Sequence, residues 1–231
     1  MRVSLPMVAR SARTHHGPVT ATPSSSPTRE IIRVLVVDDH PALRAGLARL
    51  LGAEPGIECL VPLAGTGGLS EAVHDARPDV VVLDYALGSG DGLTACFRLK
   101  QHPRPPAVIL YSAYVDRVFA IPAAIAQADA TVSKSAPADE LLAAIRGVAS
   151  GHRRRPELDR ELIDAASARL RAEDLPIAAM LLDATPVSEI AEVLDMSVTD
   201  VRVAGLRIIG RLQAGDRLRS PTMPSDAGLV A

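Results

Sequence analysis

The chain has 231 residues, which is enough for one or two domains of ordinary size. Hydrophobic residues make up 48% of it and charged residues 23%, and this composition excludes a chain that is disordered throughout. The net charge is −2, and no segment is basic enough to bind nucleic acid through charge alone. No apolar run approaches the roughly 18–20 residues that a membrane span needs, so we expect no membrane partner.

Residues 1–29 are rich in Ser, Thr, Pro and Arg and show no apolar periodicity. We expect a disordered tail here, or a true start at Met7 or later. A targeting peptide is the alternative, because transit sequences are also rich in Arg and poor in acidic residues. A secretory signal is excluded, since the segment has no apolar core.

The cysteines and aromatic residues exclude two further kinds of site. Cys59 and Cys96 lie far apart and have no C-x-x-C neighbour, which indicates buried free thiols, a reducing compartment and a cytoplasmic location rather than a disulfide or zinc scaffold. All five aromatic residues lie between residues 85 and 119, so no base-stacking surface is expected elsewhere.

Short apolar runs alternate with helical patterns from residue 31 onward. Leu43, Leu47, Leu50 and Leu51, for example, fall on one face of a helix. The apolar runs are rich in Val and Ile without polar alternation, as in a parallel sheet that is buried on both faces. We therefore predict an α/β domain of five strand–helix units over residues 30–150. The predicted strands are 31–37, 59–63, 80–83, 107–111 and 130–132.

The rest of the chain is predicted to be helical. A basic stretch, G-H-R-R-R-P, begins at residue 151 and predicts a solvated linker over 151–157, with a phosphate-contacting patch as the alternative. Thr185 is expected to cap one short helix, and Ser197 with Asp200 to form a capping box on the next. These two helices form a helix-turn-helix in a small all-α domain over 158–219, before a disordered tail over 220–231. The predicted helices are 158–171, 175–182, 186–194 and 198–212.

Polar side chains follow four of the five predicted strands. Asp38 and Asp39 follow the first strand, Asp84 the third, Ser112 the fourth and Lys134 the fifth. Ligands of open parallel sheets bind outside the carboxyl ends of the strands, so we expect these side chains to form one site.

Three carboxylates at one edge repel each other, at a cost on the order of 4 kcal/mol per pair at 4 Å and an effective dielectric of 20. A divalent cation relieves this repulsion, and oxygen ligands favour Mg²⁺. Lys134 and Ser112 suit the oxygens of a phosphoryl group. The site is thus predicted to transfer a phosphoryl group to an aspartate.

Four segments at these strand ends form a recognisable pattern. They are V-L-V-V-D-D-H at 34–40, V-V-V-L-D-Y-A-L-G-S-G-D-G-L at 80–93, V-I-L-Y-S-A-Y at 108–114 and A-D-A-T-V-S-K at 128–134. With these segments, about 120 residues of the chain resemble the receiver domain of two-component response regulators. The resemblance implies a flavodoxin-like sheet in the order 2-1-3-4-5, with Asp84 accepting phosphate from a sensor histidine kinase. It also implies that Asp39 binds Mg²⁺ directly, Asp38 largely through water, and Ala86 through its carbonyl. Ser112 and Lys134 would contact the phosphoryl oxygens.

The chain departs from the family pattern at three positions. Gly88 replaces a usual proline, which is expected to loosen the loop after Asp84. Thr131 replaces a usual Tyr or Phe, whose movement together with Ser112 couples phosphorylation to the face formed by the fourth helix, fifth strand and fifth helix. Ser135 follows the lysine where proline is common. We expect these departures to affect signalling more than phosphorylation.

Three other interpretations of the motifs are weaker. A lone His40 without a partner at ligand spacing is expected to be a surface residue. The glycines at 65–68 lack the full dinucleotide-binding pattern and predict an ordinary turn. A phosphatase with an aspartate nucleophile needs a second acid where Ala86 stands, so we do not expect an enzyme.

Residues 170–212 resemble the helix-turn-helix domain of quorum-sensing-type response regulators, and also the fourth region of bacterial sigma factors. The resemblance implies binding to double-stranded DNA through Thr199, Arg202, Arg207 and Arg211. The rest of that helix offers few polar contacts, and Gly205 inside it costs about 1 kcal/mol relative to alanine.

The chain is therefore predicted to be a response regulator that dimerises on phosphorylation and regulates transcription. One alternative is a receiver whose C-terminal domain binds protein or dimerises without reading DNA. A regulator controlled without phosphorylation is a further alternative.

Overall fold

A five-stranded parallel sheet forms the centre of the N-terminal half, as predicted. The strands are β1 (Ile32–Val37), β2 (Ile57–Cys59), β3 (Val80–Asp84), β6 (Ala107–Ser112) and β7 (Ala130–Ser133), in the order β2-β1-β3-β6-β7. A two-stranded hairpin, β4 (Ala86–Leu87) and β5 (Gly90–Asp91), follows β3 and was not predicted. The computed structural model describes residues 31–88, 90–113, 117–154 and 158–217. The expected tails at 1–29 and 220–231 lie outside the described residues.

The predicted second strand begins two residues and ends four residues too late. It was placed at 59–63, but β2 begins at Ile57, which pairs with Ile32 of β1. Pro62 lies inside the predicted run and has no N–H to donate to the ladder. Only Leu63 beyond it returns to β1, through a single bridge with Val37.

Five helices cover the two faces of the sheet. They are α1 (Pro41–Gly52), α2 (Leu69–Ala76), α3 (Gly92–Lys100), α4 (Arg117–Ile125) and α5 (Ala138–Ala149). On one face, Leu47 and Leu51 of α1 share a buried core with Leu141 and Ile145 of α5. The other face carries α2, α3 and α4. This is the doubly wound α/β architecture that the sequence predicts.

The C-terminal part is helical, with α6 (Arg160–Ser167), a short 3-10 turn (Ala172–Asp174), α7 (Leu175–Leu182), α8 (Val187–Val193) and α9 (Val198–Arg217). The capping interaction of α9 is present, because the Asp200 N–H donates to Ser197 Oγ at 3.0 Å. The predicted cap of α8 is wrong. Pro186, not Thr185, is its N-cap, and no side chain caps this helix. Among the described residues, no helix is both long and apolar enough to span a membrane.

The C-terminal helices and the sheet domain share one hydrophobic core, and the chain from Ile31 onward forms one compact unit. Helix α4 packs against α6, α7 and α9, and α3 packs against α9. All residues of α4 from 119 to 125 are buried, and none of them is charged. A helix that is apolar all round needs cover on every side, and the C-terminal helices supply it.

Phe97 of α3 is the side chain most closely fitted to the C-terminal helices. Its ring is 1% exposed and lies against Gly205 of α9. A Cβ atom at position 205 would overlap the ring, only 2.9 Å from Cε1. Gly205 lowers the helix propensity of α9, but its missing side chain leaves the space that the Phe97 ring occupies.

Polar contacts join the two parts as well. Gln127 Nε2 donates to the Thr185 carbonyl at 3.1 Å, and Gln213 Nε2 donates to Asp91 Oδ1 at 2.7 Å. The start of the segment predicted as a solvated linker is also bonded to the sheet domain. The Arg154 N–H donates to the Asp129 carbonyl at 2.8 Å, and Arg154 forms a bridge with Ala130 of β7.

Substitution of Gly205 by alanine tests this shared core. We expect Gly205→Ala to lower the free energy of unfolding by about 1–3 kcal/mol, because overpacking at Phe97 outweighs the gain in helix propensity. Gly210→Ala is the matched control on α9, since a Cβ there has open space around it, and it should stabilise the chain. Urea unfolding measures both. Equal stabilisation by the two variants would show that Phe97 does not pack against Gly205.

Candidate phosphoacceptor site

The carboxyl ends of the parallel strands bring the predicted polar residues together. Asp38 and Asp39 follow β1, Asp84 ends β3, Ser112 ends β6 and Lys134 follows β7. Asp38 and Ser112 are each 1% exposed and Asp84 is 2% exposed, so these polar groups lie below the surface. The neighbouring registers Asp84↔Tyr111 and Ser112↔Ser133 keep these strand ends level at one edge.

Lys134 joins two of the carboxylates. Its Nζ lies 2.7 Å from Asp38 Oδ2 and 2.7 Å from Asp84 Oδ2. Burial alone would lower the pKa of Lys134, but the hydrogen bonds and negative charges of Asp38 and Asp84 raise it above its ordinary value. The lysine is therefore a stable cation between two acids.

Asp84 has the opposite balance. Burial raises the pKa of its carboxyl group, and the close contact with Lys134 and the hydrogen bond from the Ala86 amide offset this only in part. The negative charge of Asp38 adds to the rise. The site thus compensates the charge of Asp84 only in part.

Backbone amides orient the three aspartates. The His40 N–H donates to Asp38 Oδ1 at 2.8 Å, and the Ala86 N–H donates to Asp84 Oδ1 at 3.1 Å. The Gly88 N–H donates to Asp39 Oδ2 at 2.7 Å. A proline at 88 has no N–H and could not make this bond. The Gly88 amide therefore ties the loop to Asp39, and the expectation that glycine loosens this loop stays a prediction.

Two buried carboxylate oxygens face the centre of the site without a hydrogen bond of acceptable geometry from the described residues. They are Asp39 Oδ1 and Asp84 Oδ2. One ligand atom from each of Asp38, Asp39, Asp84 and His40 lies within 4.8 Å of the others. Carboxylate oxygens clustered at this spacing are what a hard divalent cation requires, so the residues fit Mg²⁺.

His40 lies closer to the site than the sequence indicates. It is exposed, as predicted, but its Nδ1 is 2.8 Å from Asp39 Oδ1 and 3.4 Å from Asp38 Oδ1. The ring therefore stands at the rim of the acidic pocket. Its direct adjacency to the acidic pair is the sequence signal for this placement.

Sequence reasoning missed two residues that shape the loop after Asp84. A Cβ at Gly92 would lie 2.8 Å from Tyr85 Cα, so only glycine allows this close approach of the backbone. Asp91 caps α3 by accepting from the Leu93 and Thr94 amides at 3.0 and 3.3 Å. An aspartate three residues before Thr94 at a helix start was the available signal.

Thr131, the switch position predicted from the family pattern, has a small side chain. Thr131 is half-buried on β7, opposite Leu110 of β6. Elsewhere, an aromatic pair links the site to α4. The rings of Tyr85, next to Asp84, and Phe119, in α4, meet edge to face with their centroids 4.8 Å apart.

The residues predicted to contact DNA fall into two groups, one exposed and one engaged in ion pairs within the chain. Thr199 and Arg202 are exposed near the start of α9. Arg207 and Arg211 instead both bind Asp174, whose side chain is 0% exposed, and Arg207 Nη2 lies 2.5 Å from Asp174 Oδ1. The hydrogen bond to Asp174 raises the pKa of Arg207 further. These two arginines hold the C-terminal helices together in this structure.

Known proteins share both parts of this chain. The family model of the response regulator receiver domain matches residues 34–146. Transcriptional regulatory protein LiaR of Bacillus subtilis (strain 168) is 28% identical over 204 residues, covering 82% of this chain and 95% of LiaR. Response regulator UvrY of Escherichia coli (strain K12) is 30% identical over 197 residues, covering 79% of this chain and 88% of UvrY. A crystal structure of a LuxR-family two-component response regulator from Aurantimonas sp. SI85-9A1 has a TM-score of 0.51 and 29% identity, covering 58% of this chain and 97% of that chain.

The matches to LiaR and UvrY extend beyond the sheet into the C-terminal helices, and so define a class of signalling proteins with a receiver domain and a helical output domain. The chain belongs to the two-component response regulators. The predicted family, its α/β receiver fold and its regulatory function are thereby confirmed at the level of the family.

Asp84→Asn tests the electrostatics of the site. Because the pKa of Asp84 is raised, ionising it costs more in the folded than in the unfolded chain. Stability is therefore lost as the pH rises from the ordinary aspartate range through the raised pKa. We expect Asp84→Asn to be more stable than the wild type at pH 7, with an advantage that shrinks as the pH falls.

Urea unfolding in EDTA, repeated across a pH series, measures this difference. Asp75→Asn is the matched control, because it removes an exposed carboxylate on α2. Its free energy of unfolding should differ little from that of the wild type, and the difference should not change with pH. A pH-independent difference for Asp84→Asn would contradict the unfavourable burial of its charge.

Proposed function

We propose that Asp84 accepts a phosphoryl group from a sensor histidine kinase and that this controls the C-terminal helices. The observation that carries the proposal is the buried Asp84 carboxylate, with one oxygen left without a well-formed hydrogen bond beside Lys134. In the reaction, an Asp84 oxygen forms a bond to phosphorus while the bond from phosphorus to the kinase histidine nitrogen breaks. The imidazole leaves, and Asp84 becomes an acyl phosphate.

The other residues of the site hold charge and position. Lys134 would exchange its contact with Asp84 for one with a phosphoryl oxygen, and the Ser112 hydroxyl would donate to another. Asp38, Asp39 and the Ala86 carbonyl would hold Mg²⁺, which when bound neutralises charge on the transferred group. The Gly88 amide keeps Asp39 turned toward this position.

Tyr85 and Phe119 offer a route from the site to α4. The family pattern uses an aromatic residue where Thr131 stands, and Thr131 lacks a ring to reposition. The edge-to-face contact of Tyr85 with Phe119 instead connects the residue after Asp84 to a helix that packs against α6, α7 and α9. The charge that phosphorylation adds would shift this contact and loosen α4 from the C-terminal helices.

Phosphorylation is tested with acetyl phosphate as donor. We expect intact-mass spectrometry to show one phosphoryl adduct that requires Mg²⁺ and is absent in Asp84→Ala. Asp75→Ala, which changes an exposed acid on α2, should keep the adduct. An adduct of equal yield in Asp84→Ala would mean that another residue accepts the phosphoryl group.

The same samples report on dimerisation. Helix α4 is covered by the chain's own helices, so dimerisation through the face that includes α4 requires their displacement. We propose that phosphorylation causes this displacement and yields a homodimer. Sizing chromatography should show that the phosphorylated chain elutes as a dimer. An adduct without a change in elution would mean that phosphorylation occurs but does not cause dimerisation.

We further propose that the released C-terminal helices bind double-stranded DNA through α9. Thr199 and Arg202 lie on its exposed face, and Arg202 has no ion pair within the part of the chain that the structure describes. Arg207 and Arg211 contribute to this interface by stabilising the domain through Asp174 rather than by reaching the phosphates. The groove contacts are thus concentrated near the first two turns of α9.

DNA binding is tested on genomic fragments by gel shift at several salt concentrations. We expect phosphorylation to strengthen binding and Arg202→Gln to weaken it across sequences, with a salt slope smaller by about one. Arg49→Gln, an exposed arginine of α1, is the control and should bind like the wild type.

A second candidate function rests on the engagement of Arg207 and Arg211 with Asp174. It leaves α9 with few free cations, which favours C-terminal helices that bind protein or dimerise without reading DNA. Phosphorylation without salt-sensitive DNA binding in any fragment would support this alternative.

A further inference from the structure

A cavity lies at the edge of the sheet opposite the acidic pocket. It is bordered by the segments that lead into β3, β6 and β7 and by the end of α5, and its volume is about 830 Å³. Small-molecule sites in proteins commonly have about 300–1,000 Å³, so the cavity has the size of a ligand site. The mechanism proposed for Asp84 does not use it.

Cationic side chains outnumber acidic ones in the lining, which includes Arg77, Lys100, Arg104 and Arg153. The acidic lining residues are already engaged. Asp129 accepts from Lys100 Nζ at 2.7 Å and from the Val108 amide at 2.8 Å, and Arg153 Nε lies 3.2 Å away. The second acid, Asp79, accepts from the Arg33 amide at 2.7 Å.

Two guanidinium groups have no such partner. Within the described part of the chain, neither Arg77 nor Arg104 makes a side-chain hydrogen bond or ion pair, and both are exposed. Arg77 also has a backbone φ of 46°, at a helix end where glycine or asparagine is usual. Its side chain lines the cavity despite this unfavourable backbone position.

The remaining walls suit an organic group. His74 and His102 meet edge to face, with ring centroids 6.3 Å apart. The apolar part of the lining consists of Val73, Pro78, Pro103, Pro105, Pro106, Ala107, Val148 and Ala149. A ligand with an anionic head and a less polar body would match both kinds of wall.

A smaller cavity of about 340 Å³ adjoins the first. The two share Lys100, His102, Pro105 and Arg153, and the smaller one continues to Arg202 of α9. A ligand bound here would therefore contact walls that continue from the receiver domain to the C-terminal helices.

We propose that this cavity binds a small organic phosphate, a phosphate monoester with an apolar or sugar-like body. Arginine pairs with phosphate through two parallel N–H···O bonds, and a monoester carries about −1.5 to −2 charges near neutral pH. The two uncommitted guanidinium groups of Arg77 and Arg104 balance that charge. Arg153 adds donors that its Nε contact with Asp129 leaves free.

Isothermal titration calorimetry in EDTA tests the proposal with ribose 5-phosphate and AMP as probes, and with ribose and adenosine as their unphosphorylated controls. We expect the two phosphates to bind and the controls not to bind. Arg77→Asn, which suits the left-handed backbone, and Arg104→Gln should each weaken binding about tenfold or more. Arg49→Gln and Asp84→Asn, both away from this cavity, should leave the affinity unchanged.

Several outcomes would overturn the proposal. No saturable binding of either phosphate at millimolar concentration would exclude such a ligand, as would equal binding in Arg77→Asn and the wild type. Loss of binding in Asp84→Asn would place the phosphate in the acidic pocket. Duplex DNA bound through Arg77 and Arg104, without binding of the small phosphates, would assign the surface to nucleic acid.

Discussion

The ammonium group of Lys134 lies between the carboxylates of Asp38 and Asp84, 2.7 Å from an oxygen of each. Two buried carboxylates at this spacing could not both ionise without a cation, and the parallel register of the strands keeps all three groups at one edge. The lysine makes the acidic pocket possible in the folded chain. It does not satisfy the pocket fully, because the pKa of Asp84 is still raised by burial. Under the proposed function, a divalent cation would relieve the remaining deficit in positive charge.

The second constraint is the apolar part of helix α4. Its residues from 119 to 125 have no polar face, so α4 cannot be left at the surface without a partner. In this structure the partner is the chain's own C-terminal part, and Phe97 fills the space that Gly205 leaves in α9. Any state that frees α9 must cover α4 in another way. A second copy of the chain is the cover that the dimerisation proposal supplies.

Local patterns in the sequence predict most of the sheet and the acidic pocket, for physical reasons. Buried parallel strands need uninterrupted Val and Ile, and their polar ends meet at one edge whatever the details of the loops. Local patterns failed where distant contacts decide the structure. The sequence shows that Gly205 lowers the helix propensity of α9. The reason for a glycine there is Phe97, which lies in another helix. The Gly88 amide on Asp39 was equally hidden, since the two residues come together only in the folded chain.

The arginines of α9 show how such distant contacts alter a functional prediction. The resemblance to helix-turn-helix domains groups Arg202, Arg207 and Arg211 of the last helix as contacts for DNA. The buried Asp174 binds two of them, and leaving that carboxylate unpaired in the interior would cost more than their loss from a solvated interface.

Arg202, at the other end of the helix, stays available for the DNA contact proposed above, and it lines the smaller cavity beside the receiver domain. A switch that moves a two-state equilibrium from 1:99 to 99:1 needs a difference of about 5.5 kcal/mol between its states. In the proposed switch, the contact of Phe97 with Gly205 opposes release of α9, and the charge added at Asp84 would favour it. The balance between packing at Phe97 and charge at Asp84 would therefore set the fraction of chains whose α9 is free.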